Sequence, residues 1–179
     1  QRQDEFGGSI KNRMRPITEI IDGIRTRCRP DFLLGLRLSP ERFDVHLPDI
    51  VEVAKNVLSA GKIDFLDMSL WDSFKEPEDE AFKGRTLLSY FTELERGNVA
   101  LGIAGKLRNP SEINQAMAAE IDFVMLGRAA IIHHDFPRQM QEDSNFTPMR
   151  TPVSADHLRK EGLGEAFVTY MSGWKGFVG

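Results

Sequence analysis

The chain has 179 residues, 41% hydrophobic and 28% charged, with 23 Lys and Arg against 27 Asp and Glu. That is about one ordinary domain with a folded core, which excludes wholesale disorder. The net charge of −4 gives no reason to propose nucleic acid as a partner, and no run approaches the roughly 20 apolar residues of a bilayer-spanning helix, so no membrane partner is expected.

The opening stretch, Gln1 to Arg15, is polar and lacks the apolar segment of a secretory signal. It does not begin with Met, which reads as processing or as a piece of something longer. Cys28 is the only cysteine, so no intrachain disulfide or Cys-built metal site can form. A reducing compartment, the cytoplasm, fits that usage.

Ser9 reads as the cap of a first helix, with Ile10, Met14, Ile17, Ile21 and Ile24 on one face at 3.6-residue spacing. Pro16 is the awkward residue within it, and Arg29-Pro30 closes it. Residues 32–36 form a continuous apolar run between turn signals, which predicts a strand buried on both faces; it ends at Arg37-Leu38-Ser39-Pro40. The pattern then recurs. Residues 48–60 predict a helix stopped by Gly61, 63–70 a strand and 72–85 a polar loop. A short helix over 86–95, stopped by Gly97, leads to a third strand over 99–104. Asn109-Pro110-Ser111-Glu112 opens a helix to about Glu120, with Asn as cap and Pro in the first turn. A fourth strand over 122–126 reaches Gly127-Arg128, and a short helix runs through Ile132. Residues 142–152 read as a polar linker and 154–170 as one or two short helices. Tyr170, Met171, Trp174, Phe177 and Val178 then pack back on the body, with Trp174 in the core.

Strands alternating with helices, in units on the order of 30 residues, imply an α/β parallel sheet with right-handed crossovers. A complete (β/α)8 barrel takes about 250 residues. The arithmetic therefore yields half a barrel, or an open sheet, over residues 1–141, with the linker and tail over 142–179.

Ligands of such folds bind where the strands end and the βα loops emerge. Arg37 follows the first strand, Ser69 and Trp71 the second, Gly105-Lys106 the third and Gly127-Arg128 the fourth. A glycine beside a cation lets a phosphate approach the backbone, although such dipeptides are common. Arg37 is either a surface cation paired with Glu41 or Asp44, or a fixed positive charge facing an anionic or electron-rich ligand. Trp71 either covers a ligand or packs. Adjacent residues on a helix point in different directions, and no second His and carboxylate cluster has ligand spacing. His133-His134 thus reads as an exposed pair in a helix-end loop, with no metal site expected. His46 and His157 read as surface groups, and residues 76–80 as a solvated acidic loop.

Arg2-Gln3-Asp4-Glu5-Phe6-Gly7-Gly8-Ser9-Ile10-Lys11-Asn12-Arg13-Met14-Arg15 closely resembles the R-x-D-x-[YF]-G-G-S-x-x-N-R-x-R signature of the Old Yellow Enzyme family, flavin-dependent NAD(P)H oxidoreductases. Gly35-Leu36-Arg37-Leu38-Ser39-Pro40, Gly105-Lys106 and Gly127-Arg128 followed by Asp135-Phe136-Pro137 occur in the family's order. The match covers about residues 1–141, and Gly162-Leu163 and Trp174-Lys175-Gly176-Phe177 look family-like too. The resemblance implies a TIM barrel holding FMN, with this chain as its C-terminal half, about strands five to eight, plus a C-terminal helical tail. It implies that Arg37 stands beside the pyrimidine side of the flavin and that Gly105, Lys106, Gly127 and Arg128 surround the FMN phosphate, leaving Ser69 and Trp71 as substrate-side candidates. The implied reaction is hydride transfer from NADH or NADPH to flavin, then to an electron-poor alkene or similar small-molecule acceptor. The family's substrate-anchoring His-His or His-Asn pair and its Tyr proton donor would lie upstream of Gln1, and no residue here replaces them.

Two other readings stand beside this one: a noncatalytic half-barrel, and a phosphate-ligand binder or isomerase on the same scaffold. A half-barrel exposes sheet edges and the interior face of its strands, so a homo-oligomer, recruitment of the missing N-terminal half, or aggregation is expected.

Overall fold

The computed structural model describes residues 2–42 and 44–179; Gln1, the first residue of the polar opening stretch, and Phe43 lie outside the described residues. The first helix, α1 (Ile10–Arg27), starts where Ser9 predicts, its Oγ accepting the Asn12 N–H at 3.3 Å. Pro16 is accommodated within it. The loop before α1 is tied by its own residues. Gly7 N–H donates to the Asp4 carbonyl at 3.0 Å, Asn12 Nδ2 to the Gly7 carbonyl at 3.0 Å and Arg15 Nε to the Glu5 carbonyl at 3.0 Å. A Cβ on Gly7 would lie 2.1 Å from the Arg2 carbonyl oxygen, so glycine is required for the close approach. The signature thus builds the entrance to α1.

Four βα units follow: β1 (Gly35–Leu38) and α2 (Leu47–Ala60), β2 (Phe65–Ser69) and α3 (Ser89–Thr92), β3 (Ala100–Ala104) and α4 (Pro110–Met117), β4 (Phe123–Val124) and α5 (Arg128–Ile132). The strands are parallel and lie in chain order, which is the repeat of a (β/α)8 barrel carried through half its circumference. No helix among the described residues is long and apolar enough to cross a membrane.

The boundaries differ from the sequence reading where tertiary contacts intervene. β1 begins three residues late, and Phe32 and Leu33 are exposed rather than buried. Phe32 N–H closes a turn on the Arg29 carbonyl, and Leu34 N–H is taken by Asp64 Oδ2 at 2.6 Å, so the ladder starts only at Gly35. α3 is a single turn, because Leu87 N–H ties the start of its segment to the Lys75 carbonyl. α4 ends at Met117 rather than Glu120, which turns into the left-handed region at φ 59. A further helix, α6 (Phe136–Glu142), is one the apolar spacing does not predict; Pro137 sits in its first turn.

The same three residues open β2 and β4: Ile63-Asp64-Phe65 and Ile121-Asp122-Phe123. Both isoleucines are buried under the helices. Each aspartate accepts a backbone N–H from the neighbouring segment, Asp64 from Leu34 just before β1 and Asp122 Oδ2 from Leu101 of β3 at 2.7 Å. Each phenylalanine stands opposite a glycine, Phe65 across from Gly35 and Phe123 across from Gly102. A Cβ on either glycine would come within 2.1 Å of the ring. The two rings meet edge to face at 5.7 Å, so bulky side chains from alternate strands fill one layer of the inner face while the strands between supply glycine. Arg25 joins three of these pieces at the amino ends of the strands. Its Nε, Nη1 and Nη2 donate to the Lys62 carbonyl, the Phe32 carbonyl and Asp64 Oδ2, each at 2.7 Å.

On the opposite face, Leu66, Met68, Leu101 and Ile103 are buried with Val53, Ala54 and Val57 of α2 and with Phe91. Each such aliphatic or aromatic side chain contributes about 1.5–3 kcal/mol on burial. A second cluster joins Ile132 of α5 to Val153, Leu158 of α7 (Ala155–Lys160), Val168 and Met171 of α8 (Glu165–Ser172), and Phe177. Trp174 is not in that core: it is 39% exposed and meets Phe177 edge to face. Tyr170 is exposed as well, because α8 turns only its Val168–Met171 side inward.

Candidate functional site

Parallel strands bring all four carboxyl ends to one rim, and the sequence candidates lie along it. Arg37 of β1 pairs with neither Glu41 nor Asp44. Its Nε stands 3.4 Å from Asp67 Oδ2, and its Nη2 donates to Ser69 Oγ at 3.2 Å. Glu41 is instead buried, receiving the Lys75 ammonium at 2.7 Å and the Glu78 N–H at 2.7 Å. Trp71, just past β2, is in the left-handed region at φ 61 and exposed, with the Arg42 guanidinium 3.6 Å over its ring. A small cleft of about 170 Å³ joins Ser69, Trp71 and Arg42.

The loops after β2 and β3 are clasped together. Ser73 donates to the Gly105 carbonyl through N–H at 3.1 Å and Oγ at 2.9 Å, and a Cβ on Gly105 would crowd both donor atoms at 2.9 Å. Lys106 Nζ donates to Asp72 Oδ2 at 2.9 Å. Burial alone would push the Asp72 carboxyl up, but Lys106 and the Phe74 N–H together hold it below the usual carboxylate value.

Beyond Lys106 the rim opens into a cleft of about 840 Å³ between the starts of α4 and α5, residues 144–151 and residues 174–177. Arg108, Arg128, Arg150 and Lys175 line it against a single carboxylate, Glu112, and among the described residues none of the four has an ion-pair partner. Glu112 Oε2 accepts the Arg108 backbone N–H at 2.6 Å. Gly127 at the same end carries open space where a Cβ would be, with nothing within 4 Å. A concentration of unpaired cations beside open backbone attracts a multiply charged anion such as a phosphate. Of the sequence candidates, Arg128 lines this cleft, whereas Lys106 is held by Asp72 and Arg37 by β2. Arg108, Arg150 and Lys175 are additions from the structure. Arg108 lies three residues past Gly105 in the same loop, a signal available in the sequence, but Arg150 sits in what reads as a linker.

The histidine pair divides. His133 is buried, and its Nε2 accepts the Met149 N–H at 2.9 Å, which places the proton of the neutral ring on Nδ1. Burial holds that imidazole below its ordinary value. His134 is exposed, and both its N–H and its Nδ1 contact Glu161 Oε2, at 2.9 and 2.7 Å. His157, expected on the surface, is half-buried with Nε2 2.7 Å from the Ile132 carbonyl, to which it donates. His133, His157 and Glu161 bring potential metal donors close together. The backbone contacts occupy one nitrogen of each of these two rings, and the proton on His133 Nδ1 closes its other; the group is a hydrogen-bonded latch between α5 and α7.

A parallel βα half-barrel with cations gathered at its carboxyl rim is the architecture of part of a TIM barrel, whose ligands bind at that rim. Residues 1–146 match the NADH:flavin oxidoreductase / NADH oxidase family, and the chain belongs to that family, the one that contains Old Yellow Enzyme. FMN is the family's cofactor and a nicotinamide nucleotide its reductant. Cinnamate reductase of Clostridium sporogenes is 28% identical over 164 residues, 79% of this chain and 24% of that protein. The putative 12-oxophytodienoate reductase 13 of Oryza sativa subsp. japonica is 30% identical over 161 residues, 80% of this chain and 42% of that protein. Morphinone reductase in complex with tetrahydroNAD shares the fold, with a TM-score of 0.60 at 21% identity, over 88% of this chain and 40% of its own. The chain thus spans less than half the length of each of these relatives.

Proposed function

We propose that the chain is the FMN-phosphate and ring-charge half of an NAD(P)H-dependent oxidoreductase that reduces activated alkenes, the acceptor class to which cinnamate belongs. The observation that carries this is the cleft at the carboxyl rim, where four unpaired cations face one carboxylate beside the open backbone of Gly127. Those residues fit a phosphate monoester: Arg128 and Arg108 supply charge and Gly127 lets the backbone come close, whereas Gly105 is taken up by its clasp with Ser73. Lys106, already paired with Asp72, contributes less. Arg37 is the fixed positive group for the pyrimidine edge of the ring, and Ser69 and Trp71 face the acceptor side. FMN, when bound, carries a hydride from NADH or NADPH to the acceptor, while the protein supplies orientation and charge. The pair that would anchor that acceptor belongs to the half of the barrel upstream of Gln1.

The test is the full-length protein, purified with its flavin. Yellow protein that oxidises NADH or NADPH faster when 2-cyclohexenone is added supports the reading. Protein that binds no FMN overturns it. Phe32 and Leu33, exposed beside the open edge of β1, favour one further reading for the chain by itself, association with a second copy or a complementary half-barrel. A monodisperse monomer at high concentration in sedimentation velocity would remove that reading.

A further inference from the structure

Asp67 lies in the middle of β2, directly across from Arg37 on β1 and from Gly102 on β3. Its side chain is only 4% exposed, and an ionised carboxylate is strongly disfavoured in such a place unless it is well paired and hydrogen-bonded. Asp67 is neither. Oδ2 makes one long contact to Arg37 Nε, and Oδ1 is buried with no hydrogen-bond partner among the described residues. Burial pushes the carboxyl up in spite of Arg37. By contrast, Asp64 and Asp122, at the starts of β2 and β4, each accept a backbone N–H. Stability therefore gives no reason for an aspartate at position 67.

Its relation to Arg37 does. Asp67 and Ser69 alternate onto the same side of β2, two residues apart. One meets Nε and the other Nη2, so the guanidinium lies along β2 toward the carboxyl rim, and Nη1 remains without a partner among the described residues. A half-exposed arginine free to swing would offer neither a fixed charge nor a fixed donor, whereas preorganised charge is what an active site uses.

We propose that Asp67 is a positioning residue for Arg37: it holds the guanidinium at the rim and, as an anion beside a cation, limits the positive charge offered to the flavin ring. This rests on the FMN reading above. A hydride given up by NADH or NADPH, which would leave as the oxidised nucleotide, would bring two electrons and one proton to the bound ring and add one negative charge to it. Net positive charge nearby favours that reduced form, and the Asp67 carboxylate opposes it.

The test is the midpoint potential and FMN dissociation constant of the full-length holoprotein carrying Asp67→Asn, which removes the charge and keeps the shape. The potential is expected to rise by about 30 mV or more, a tenfold change in the two-electron equilibrium, and the melting temperature of the flavin-free protein to hold or rise. A potential equal to or below that of the wild type overturns the proposal, as does a large drop in melting temperature, which marks Asp67 as structural. Should Asp67→Asn fail to fold, that result is the structural outcome, and Asp67→Ser read in the same way confirms or reverses it. Wild-type protein without bound FMN overturns the oxidoreductase reading and this inference together; bound FMN with an unmoved potential in the variant overturns this inference alone.

Discussion

The two rims of the half-barrel handle charge in opposite ways. At the amino ends of the strands, charged groups are fastened to the backbone: Arg25 to two carbonyls and Asp64, Asp64 to Leu34, Asp122 to Leu101, and Arg96 Nη2 to the Glu120 carbonyl at 2.8 Å. At the carboxyl ends, Arg108, Arg128, Arg150 and Lys175 have no ion-pair partner among the described residues. Both rims are made by the same βα repeat. One ties its charges to the backbone where the strands start, and the other, although Arg37 is held by β2 and Lys106 by Asp72, leaves these four available for a ligand, which is how stability and function separate in this architecture.

Substitutions at the two rims should therefore move different observables. The largest stability loss is expected at the amino rim, where Arg25→Met breaks three charge-assisted hydrogen bonds and costs about 3 kcal/mol, read as a lowered urea midpoint. An unchanged midpoint would erase the distinction. Arg128→Ala in the full-length protein should weaken FMN binding about tenfold or more, the loss of one charge-assisted contact, with stability altered by only about 0.5 kcal/mol as for other exposed sites; fluorescence titration of flavin onto the apoprotein measures it. Gly127→Ala sharpens the contrast, because its Cβ enters open space: the fold should tolerate it while FMN affinity falls by a smaller factor. The smallest effect is acid sensitivity. The Leu34 N–H, and then Arg25, hold the Asp64 carboxyl below its ordinary value of 3.8. Its contribution is thus fully present above that pH and lost as pH falls through the lowered value. Comparing unfolding at pH 7 and pH 3 should show a steeper acid loss in the wild type than in Asp64→Asn.

Much of this was legible in the sequence. Apolar periodicity, Ser9, Asn109 and Gly61 mark the alternating elements because helix caps and buried faces are local properties. The opening signature was legible as a family mark, although its observed contacts are architectural, closing the loop before α1. The strand-end positions of Arg37, Gly105, Lys106, Gly127 and Arg128 followed from counting strands. What escaped depends on distant segments meeting. Arg150 and Lys175 enter the cleft from beyond α6, and Asp67 looks like any residue within an apolar strand until Arg37 is placed beside it. Phe32 and Leu33 belong to an apolar run, yet the Phe32 and Leu34 N–H groups donate to the Arg29 carbonyl and to Asp64, which delays the strand until they are past. His133 and His134 are neighbours in sequence and separate in environment, because one side of the α5 end is covered by residues 146–149 and the other meets Glu161.

Trp174 stands in the wall of the large cleft, half-exposed, and it is one of only two tryptophans in the chain. The other, Trp71, lies at the far end of the same rim under Arg42. The protein thus carries its own pair of optical reporters, one at each end of the rim proposed above for the flavin. Loss of ultraviolet-excited indole emission on adding the yellow chromophore, compared between Trp174→Phe and Trp71→Phe, would gauge from which side the cleft fills.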